Sequence, residues 1–423
     1  MKSKRLFVAM TLAVSMHLIA IESLLAQLPQ TEKNANSSPN SLARVREKLA
    51  SNKTVRIACL GDSVTGVYYH TGSRRAYPDM VGLAIRKSFP NASVEVINAG
   101  KSGNTTANGL ERLDRDVLMH KPDLVTVMFG LNDLARLPLD EFKRNLTVIV
   151  EKCRGAGAEV LFATPNNVIE NTPRPSAKLK DYCSATQTIG DELGVQVCDI
   201  YQHMDSMKTS EGSSWRLLMS DEIHPNMDGH KVIAEQLAES ITGKKVTLHD
   251  IAPPAFSLER IRSLIAAGKP IRVLAMPPWD IDIEPLLREQ LPNASIEITS
   301  WPTDDMTLEQ IEQDANKRVR PMKPDLVVIS IPKKTVDSAT EDQFVKSFTW
   351  VMNWSLNFGA PTWDCIVVHP SVLDKSNSPT ERRSLLRRLV RAQDLPLIDR
   401  LPGNDDDSKV IMRKSFAAQA PLR

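Results

Sequence analysis

The sequence predicts an α/β fold in which a five-stranded parallel sheet, covered by helices on both faces, occurs twice in succession. Two observations lead to this class. Short apolar segments alternate with longer helical segments, a pattern typical of parallel strands that are buried on both faces. Much of this pattern then recurs in the second half of the 423-residue chain.

The bulk composition is that of an ordinary globular protein, with 42% hydrophobic and 25% charged residues. The 53 basic and 51 acidic residues leave a net charge of +2, which indicates neither a nucleic-acid partner nor an anionic membrane surface. The five cysteines have irregular spacing and include no Cys-x-x-Cys pair, so they specify neither a disulfide framework nor a metal site. No metal or organic cofactor is expected, and the oligomeric state stays open.

Residues 1–26 are typical of a secretory signal peptide. Basic residues precede an apolar run over 6–21, which is short for a membrane span of about 20 residues. An uncleaved N-terminal anchor is the alternative. Residues 27–40 are polar and predict a flexible linker. The expected location is exported, meaning periplasmic, cell-envelope or extracellular, with no stable membrane association if the signal is cleaved.

An internal repeat defines the organisation of the remaining chain. "SLARVREKLASNKTVR" at 41–56 matches "SLERIRSLIAAGKPIR" at 257–272, at an offset of 216 residues. Two later matches share an offset of 202 residues: "FPNASVEV" from 89 with "LPNASIEI" from 291, and "HKPDLVTV" from 120 with "MKPDLVVI" from 322. The chain is therefore interpreted as a tandem duplication, with one domain at 41–248 and a second at 249–423. The second copy lacks 14 residues just after its first strand.

Each copy is expected to contain five strands, because five short apolar segments alternate with helical stretches. In the first copy they are predicted at Val55–Leu60, Val94–Asn98, Leu124–Phe129, Val160–Thr164 and Gln196–Asp199. In the second copy they are predicted at Arg272–Met276, Ile296–Thr299, Leu326–Ile331, Cys365–His369 and Leu397–Asp399.

Candidate reactive residues follow the strands of the first copy. Ser63, in "GDS", follows the first strand; "NAGKSGNTT" with Gly103 follows the second, and "FGLND" with Asn132 follows the third. Asp221 and His224, in "SDEIHPN", follow the fifth. The carboxyl ends of parallel strands share one edge of a sheet, so these segments are expected to converge there.

These four blocks, in this order, resemble the SGNH, or GDSL, hydrolase family of esterases and lipases over about residues 41–244. The resemblance implies a flavodoxin-like, three-layer α/β/α sandwich. It also implies that Ser63 is the nucleophile, His224 the base and Asp221 the residue that orients the base. The implied oxyanion hole consists of the backbone N–H groups of Ser63 and Gly103 and the side-chain amide of Asn132.

The chemistry is consistent with these residue types. A serine hydroxyl needs a neighbouring imidazole to remove its proton, and the imidazole needs a carboxylate to fix its tautomer. Asp221 and His224 are three residues apart, so one turn can bring them together. Each residue also has an ordinary structural interpretation: Ser63 as a helix cap, Asn132 as a loop residue, and the Asp–His pair as surface groups. His230 is expected on the polar surface of the following helix.

The segment 64–80, where the first copy is longer, is expected to shape the acyl or alcohol pocket. Asp62, Tyr68, Tyr69 and Arg74 are the weaker candidates for substrate binding.

The second copy is expected to be catalytically inert. The repeat offsets place Pro277, Pro278 and Trp279 where the first copy has Gly-Asp-Ser, and neither the glycine nor the asparagine of the oxyanion hole recurs. Trp279 and Trp301 follow strands of this copy. They are expected to fill the vacated site or an inter-domain interface, with sugar stacking as the alternative.

The sequence therefore predicts an exported serine esterase of a small-molecule or glycan ester, with carbohydrate deacetylation as the first substrate hypothesis. An acyltransferase of the same fold and a non-catalytic glycan-binding protein are the alternatives.

Overall fold

The computed structural model describes residues 42–255, 257–374 and 380–417, apart from the side chains of residues 211, 213 and 290. The predicted signal (1–26) and linker (27–40) lie outside the described residues. Two five-stranded sheets follow one another along the chain. Both belong to one compact unit that begins at Leu42.

The first sheet contains β1 (Val55–Gly61), β2 (Val94–Gly100), β3 (Leu124–Met128), β4 (Glu159–Ala163) and β5 (Gln196–Cys198). The second contains β6 (Ile271–Ala275), β7 (Ile296–Ser300), β8 (Leu326–Ile329), β9 (Asp364–Val368) and β10 (Leu397–Ile398). Each strand lies within two residues of its predicted bounds, since continuous apolar runs flanked by turn residues define it well.

Every strand pairing is parallel. The strand order is β2-β1-β3-β4-β5 in the first sheet and, from the opposite end, β7-β6-β8-β9-β10 in the second. The two sheets therefore share one topology, in which the second strand of each copy lies at one edge. The predicted fold class, a tandem pair of five-stranded parallel α/β sheets, is confirmed.

Helices surround both sheets. In the first copy they are α1 (Ala43–Ala50), α2 (Tyr77–Ser88), α3 (Thr106–Glu111), α4 (Leu113–Asp116), α5 (Asp133–Arg136), α6 (Leu139–Gly155), α7 (Ser176–Leu193), α8 (Ile200–Arg216) and α9 (Met227–Thr242). In the second they are α10 (Glu259–Ala266), α11 (Trp279–Gln290), α12 (Leu308–Met322), α13 (Lys333–Ser338), α14 (Glu341–Trp354), α15 (Glu381–Ala392) and α16 (Ser408–Ala417). Short 3₁₀ turns occupy Tyr69–Thr71, Leu118–His120 and Pro370–Val372.

The helices pack on both faces of the second sheet, because alternate strand residues enter different apolar cores. Leu274 and Val327 belong to one core, whereas their neighbours Val273 and Val328 belong to the other. This alternation is the period-2 geometry of a strand that is buried on both sides.

The two copies differ most after their first strand. Residues 62–76 separate β1 from α2, whereas only residues 276–278 separate β6 from α11. The longer connection contains Asp62, Ser63 and most of residues 64–80. We call residues 64–80 the inserted segment.

No helix in the described ranges combines the length and apolar character that crossing a bilayer requires. All five cysteines are buried, unpaired thiols.

Gly100 tests the close approach between β2 and the inserted segment. A methyl group at this position would overlap the backbone of Thr65 and Gly66. We expect Gly100→Ala to lower the free energy of unfolding by about 1–3 kcal/mol, the usual cost of overpacking. The measurement is denaturant unfolding. Gly155→Ala at the end of α6 is the control, because no atom lies within 4 Å of the added carbon. Equal stability of the two variants would contradict this packing.

Candidate active site

The carboxyl edge of the first sheet brings together the segments that sequence analysis singled out. Ser63 follows β1, and its hydroxyl Oγ lies 2.9 Å from Nε2 of His224. The other ring nitrogen of His224, Nδ1, lies 2.8 Å from Oδ2 of Asp221. Ser63, His224 and Asp221 thus form one continuous hydrogen-bonded chain. Nδ1 donates to the carboxylate in this arrangement, which leaves Nε2 free to accept the serine proton.

The carboxylate of Asp221 is 4% exposed and accepts hydrogen bonds from four donors. The backbone N–H groups of Ile223 and His224 each donate to Oδ1 at 2.7 Å. His224 Nδ1 and the hydroxyl of Tyr69 donate to Oδ2 at 2.8 and 2.9 Å. Burial alone would raise the pKa of Asp221, but the charge of His224 and these hydrogen bonds outweigh it and lower that pKa well below its usual range. Asp221 is therefore ionised at neutral pH.

His224 is tuned by the same pair of effects. Burial alone would lower its pKa, since a charged imidazolium is poorly solvated in the interior. The charge and the hydrogen bond of Asp221 outweigh burial, so the pKa of His224 is raised above its ordinary value of 6.5. A raised pKa makes the imidazole a stronger base toward the hydroxyl of Ser63.

Two backbone N–H groups are available beside Ser63. Within the described residues, neither the N–H of Ser63 nor that of Gly103 is bonded to a protein acceptor. Gly103 has a φ of +73°, in the left-handed region that glycine adopts readily. Free backbone donors at the end of a strand suit an oxyanion site.

The side-chain amide of Asn132 lies close to Asp62, the residue that precedes Ser63. Its Nδ2 donates to the carbonyl of Asn104 at 3.1 Å and, at a longer 3.3 Å, to Oδ2 of Asp62. Its Oδ1 accepts from Nη2 of Arg174 at 2.9 Å, and Nε of Arg174 donates to the carbonyl of Leu131. Arg174 fixes which end of the amide faces the site, because a guanidinium only donates. Sequence analysis missed Arg174, which lies in a loop without a motif.

Comparisons with known proteins match this half of the chain. Residues 59–232 match the GDSL-like Lipase/Acylhydrolase family. We call residues 59–232 the GDSL-like domain, after the family that this segment resembles.

Relatives of the GDSL-like domain include an acetylxylan esterase from Geobacillus stearothermophilus, 28% identical over 38% of this chain and 78% of the relative. An arylesterase from Vibrio mimicus is 27% identical over 45% of this chain and 90% of the relative. Among solved structures, a lipase/acylhydrolase from Enterococcus faecalis is 26% identical with a TM-score of 0.40, covering 46% of this chain and 99% of its own.

The four weaker candidates for substrate binding, Asp62, Tyr68, Tyr69 and Arg74, form hydrogen bonds with other protein groups. Asp62 is 2% exposed, and its carboxylate accepts from the N–H of Val64 and from Asn132. Burial raises the pKa of Asp62 to about 6, because the desolvation penalty exceeds the effect of these donors. The buried carboxylate of Asp62 therefore fixes the backbone at Val64, the residue after Ser63, and the side chain of Asn132.

The three candidates from the inserted segment also contact other protein groups. Tyr69 is 8% exposed and lies behind the triad, with its hydroxyl on Asp221. The hydroxyl of Tyr68 accepts from the N–H of Ser102, beside Gly103. Arg74 lines a cleft of about 750 Å³ together with residues of the second copy, and its Nη1 lies 3.4 Å from the carbonyl of Ala255. The sequence could not show the partners of Tyr69 and Arg74, because Asp221 and Ala255 lie more than 150 positions away.

His70 is a second residue that sequence analysis missed. Its ring stacks on that of His224, with centroids 4.6 Å apart and planes 5° from parallel. Its Nε2 lies 3.1 Å from the carbonyl oxygen of Ser63. Burial, reinforced by the charge of His224, lowers the pKa of His70 well below its usual value. His70 is therefore neutral and donates from Nε2, so it supports the base without a competing charge.

His230 is buried rather than on a polar surface, so that expectation is wrong. It lies on α9, and its Nδ1 accepts from the backbone N–H of Tyr77 at the start of α2. Burial and the charge of His224 lower the pKa of His230 to about 3. A single histidine in an amphipathic pattern does not show which face it occupies.

Within the described residues, the segment after β6 carries Pro277, Pro278 and Trp279 where the first copy has Gly61, Asp62 and Ser63. Trp279 begins α11 at the position that Ser63 holds in the first copy, and Trp301 follows β7; both side chains are 0% exposed. Their rings pack in the interior and are unavailable for stacking on a sugar. No group of three or more potential metal ligands occurs within the described ranges.

The protonation of His224 should control the reactivity of Ser63. We expect an organophosphonate probe to label Ser63, with a rate that falls as pH decreases through the pKa of His224, above 6.5, because the imidazolium cannot accept the serine proton. The measurement is the labelling rate from pH 5 to 9, with Ser63→Ala as the unlabelled control. A pH-independent rate would contradict the role of His224.

Proposed function

We propose that the GDSL-like domain is a serine esterase that hydrolyses carboxylic esters through an acyl-enzyme on Ser63. The observation that carries this proposal is the hydrogen-bonded chain from Ser63 through His224 to the buried carboxylate of Asp221. The match of residues 59–232 to the GDSL-like Lipase/Acylhydrolase family supports the same reaction.

In the first step, the hydroxyl of Ser63 attacks the ester carbonyl while Nε2 of His224 takes its proton. The carbonyl oxygen becomes negative and accepts from the N–H groups of Ser63 and Gly103. The amide of Asn132 joins them by giving up its longer, 3.3 Å contact with Asp62. The imidazolium then gives its proton to the departing alcohol, and the acyl group stays on Ser63. Asp221 stabilises the imidazolium throughout and takes no proton.

In the second step, His224 removes a proton from water, which attacks the acyl-enzyme. The same donors stabilise the second oxyanion, and the carboxylic acid leaves as Ser63 is reprotonated. No metal or cofactor takes part in these steps.

A short acyl group on a polar, carbohydrate-like alcohol is the proposed substrate. Three basic side chains around the site are polar and at least partly exposed to solvent: Lys101, Arg136 and Arg174. The relative from Geobacillus stearothermophilus that is named an acetylxylan esterase supports this class. We further propose that the enzyme is exported, on the basis of the predicted signal at 1–26.

The second copy is proposed to be inert, so Ser63 alone should account for turnover. We expect Ser63→Ala in the full chain to abolish hydrolysis of 4-nitrophenyl acetate and of acetylated xylo-oligosaccharides. Circular dichroism checks that the fold is retained. Activity that survives this substitution would contradict the proposal. For the unsubstituted chain, an acylated glycan as the product, in place of free carboxylic acid, would favour the acyltransferase alternative.

Asn132 tests the oxyanion site. We expect Asn132→Ala to lower kcat by about 10²–10³-fold with little change in KM, because the donor acts mainly on charge that develops in the transition state. Steady-state kinetics on the acetyl ester measure both constants. A rise in KM at constant kcat would instead assign Asn132 to ground-state binding.

A further inference from the structure

The inserted segment contacts each member of the triad through two consecutive residues. Tyr69 donates to Asp221, while His70 donates to the carbonyl of Ser63 and stacks on His224. A segment of this length beside a site needs its own support, because an unsupported loop samples many conformations.

The support comes from the second copy. Helices that connect parallel strands run back from the carboxyl edge of a sheet to its amino edge, so they end at the amino edge. Asn353, in the last turn of α14, and Gln393, the residue that follows α15, lie at such helix ends. The second sheet therefore contacts the catalytic edge of the first from its own amino edge.

Gln393 and Asn353 bind two backbone segments of the first copy. Nε2 of Gln393 donates to the carbonyl of Tyr69 at 2.7 Å and to Oδ1 of Asn353 at 2.6 Å. Asn353 forms a double contact with Ser220: its Oδ1 accepts from the serine hydroxyl at 3.0 Å, and its Nδ2 donates to the serine carbonyl at 3.1 Å. Ser220 immediately precedes Asp221.

This network is buried and closely packed. Asn353 is 0% exposed, and Gln393 and Ser220 are each 1% exposed. Gly72 approaches the carbonyl of Gln393 so closely that an added Cβ would lie 2.6 Å from it. A buried amide is stable only when its hydrogen bonds are made, so such a network tolerates few alternative arrangements.

Further contacts hold the inserted segment on the same surface. Arg75 forms a bidentate ion pair with Asp394, which is 1% exposed at its side chain. The ring of Tyr69 lies 5.8 Å from that of Phe358 and 6.4 Å from that of Trp350, and Arg320 lies 5.4 Å from its centroid.

We propose that the second copy is a working part of the active site: through Gln393 and Asn353 it fixes Tyr69 and Ser220, and thereby the position of the Asp221 carboxylate. Tyr69, Asn353 and Gln393 are positioning residues in this scheme, which rests on the proposed function of Ser63. It assigns a role to a copy that has Pro277, Pro278 and Trp279 where the first copy has its nucleophile.

Two substitutions in the full chain test this role. Tyr69→Phe removes one oxygen and keeps the ring, and Gln393→Ala removes the amide that holds the carbonyl of Tyr69. We expect each to lower kcat on 4-nitrophenyl acetate by about 10- to 100-fold, the scale of a small misplacement of catalytic groups, with KM within about twofold. Because Gln393 acts through Tyr69, the double variant should lose less than the product of the two single effects.

The pH dependence of kcat/KM distinguishes a positioning role from a loss of stability, because a less stable fold would not shift the acidic limb of the profile. Without the Tyr69 donor, the charge of Asp221 is shared by fewer partners and interacts more strongly with His224. The acidic limb of kcat/KM should therefore move to higher pH in Tyr69→Phe. Ser371→Ala is the matched control: Ser371 is 0% exposed in the second copy and donates to Asp399 at 2.6 Å. It should lower the unfolding midpoint and leave kcat unchanged.

The outcomes separate the two proposals. An inactive wild-type chain whose Ser63 resists the organophosphonate probe would overturn the proposed function itself. An active wild type, with Tyr69→Phe matching its kcat and pH profile, would overturn the positioning role. Fully multiplicative effects of the two substitutions would also overturn it. If Gln393→Ala fails to fold, the kcat and the pH profile of Tyr69→Phe decide.

Discussion

The buried carboxylate of Asp221 is the constraint on which the site depends. A charge in the interior is stable only when donors replace the water it has lost. Its four donors come from the turn at 221–224, from the ring of His224 and from Tyr69 in the inserted segment. Satisfying this one group therefore fixes the tautomer of His224, the shape of the turn and the location of a distant loop. Ser63 then meets the correctly oriented nitrogen without further adjustment.

The two copies use the same topology in different ways. The first copy places free backbone donors and Ser63 at the carboxyl edge of its sheet, where parallel strands and their loops converge. The second copy closes that edge with buried tryptophans and offers its amino edge as a contact surface. Helix ends are suited to this contact, since buried amides such as those of Asn353 and Gln393 can reach the neighbouring backbone from them. Duplication of a fold thus does not imply duplication of its chemistry.

The strands and the convergence of Ser63, Asp221 and His224 could be predicted from the sequence, because both depend on local patterns and on the geometry of parallel sheets. The repeat also indicated where the copies diverge. The partners of Tyr69, His70 and Arg174 could not be predicted, since they depend on packing between segments far apart in the chain. The same limit applies to His230: the spacing places it on a helix, but only the adjacent α2 buries it. Tyr69 is the clearest example. In the sequence, an aromatic residue close to Ser63 suggests the lining of a substrate pocket, whereas in the structure its hydroxyl donates to Asp221.

A supported insertion also bears on catalysis by preorganisation. Donors that are fixed before substrate arrives need no reorganisation when charge develops, and for that reason they lower the barrier effectively. Residues 62–76 form a long connection whose closure costs conformational entropy, and that cost is met during folding if the second copy holds the segment in place. The contacts of Gln393 with Tyr69, and of Asn353 with Ser220, are made by protein groups alone. The geometry around Asp221 is therefore a property of the folded chain.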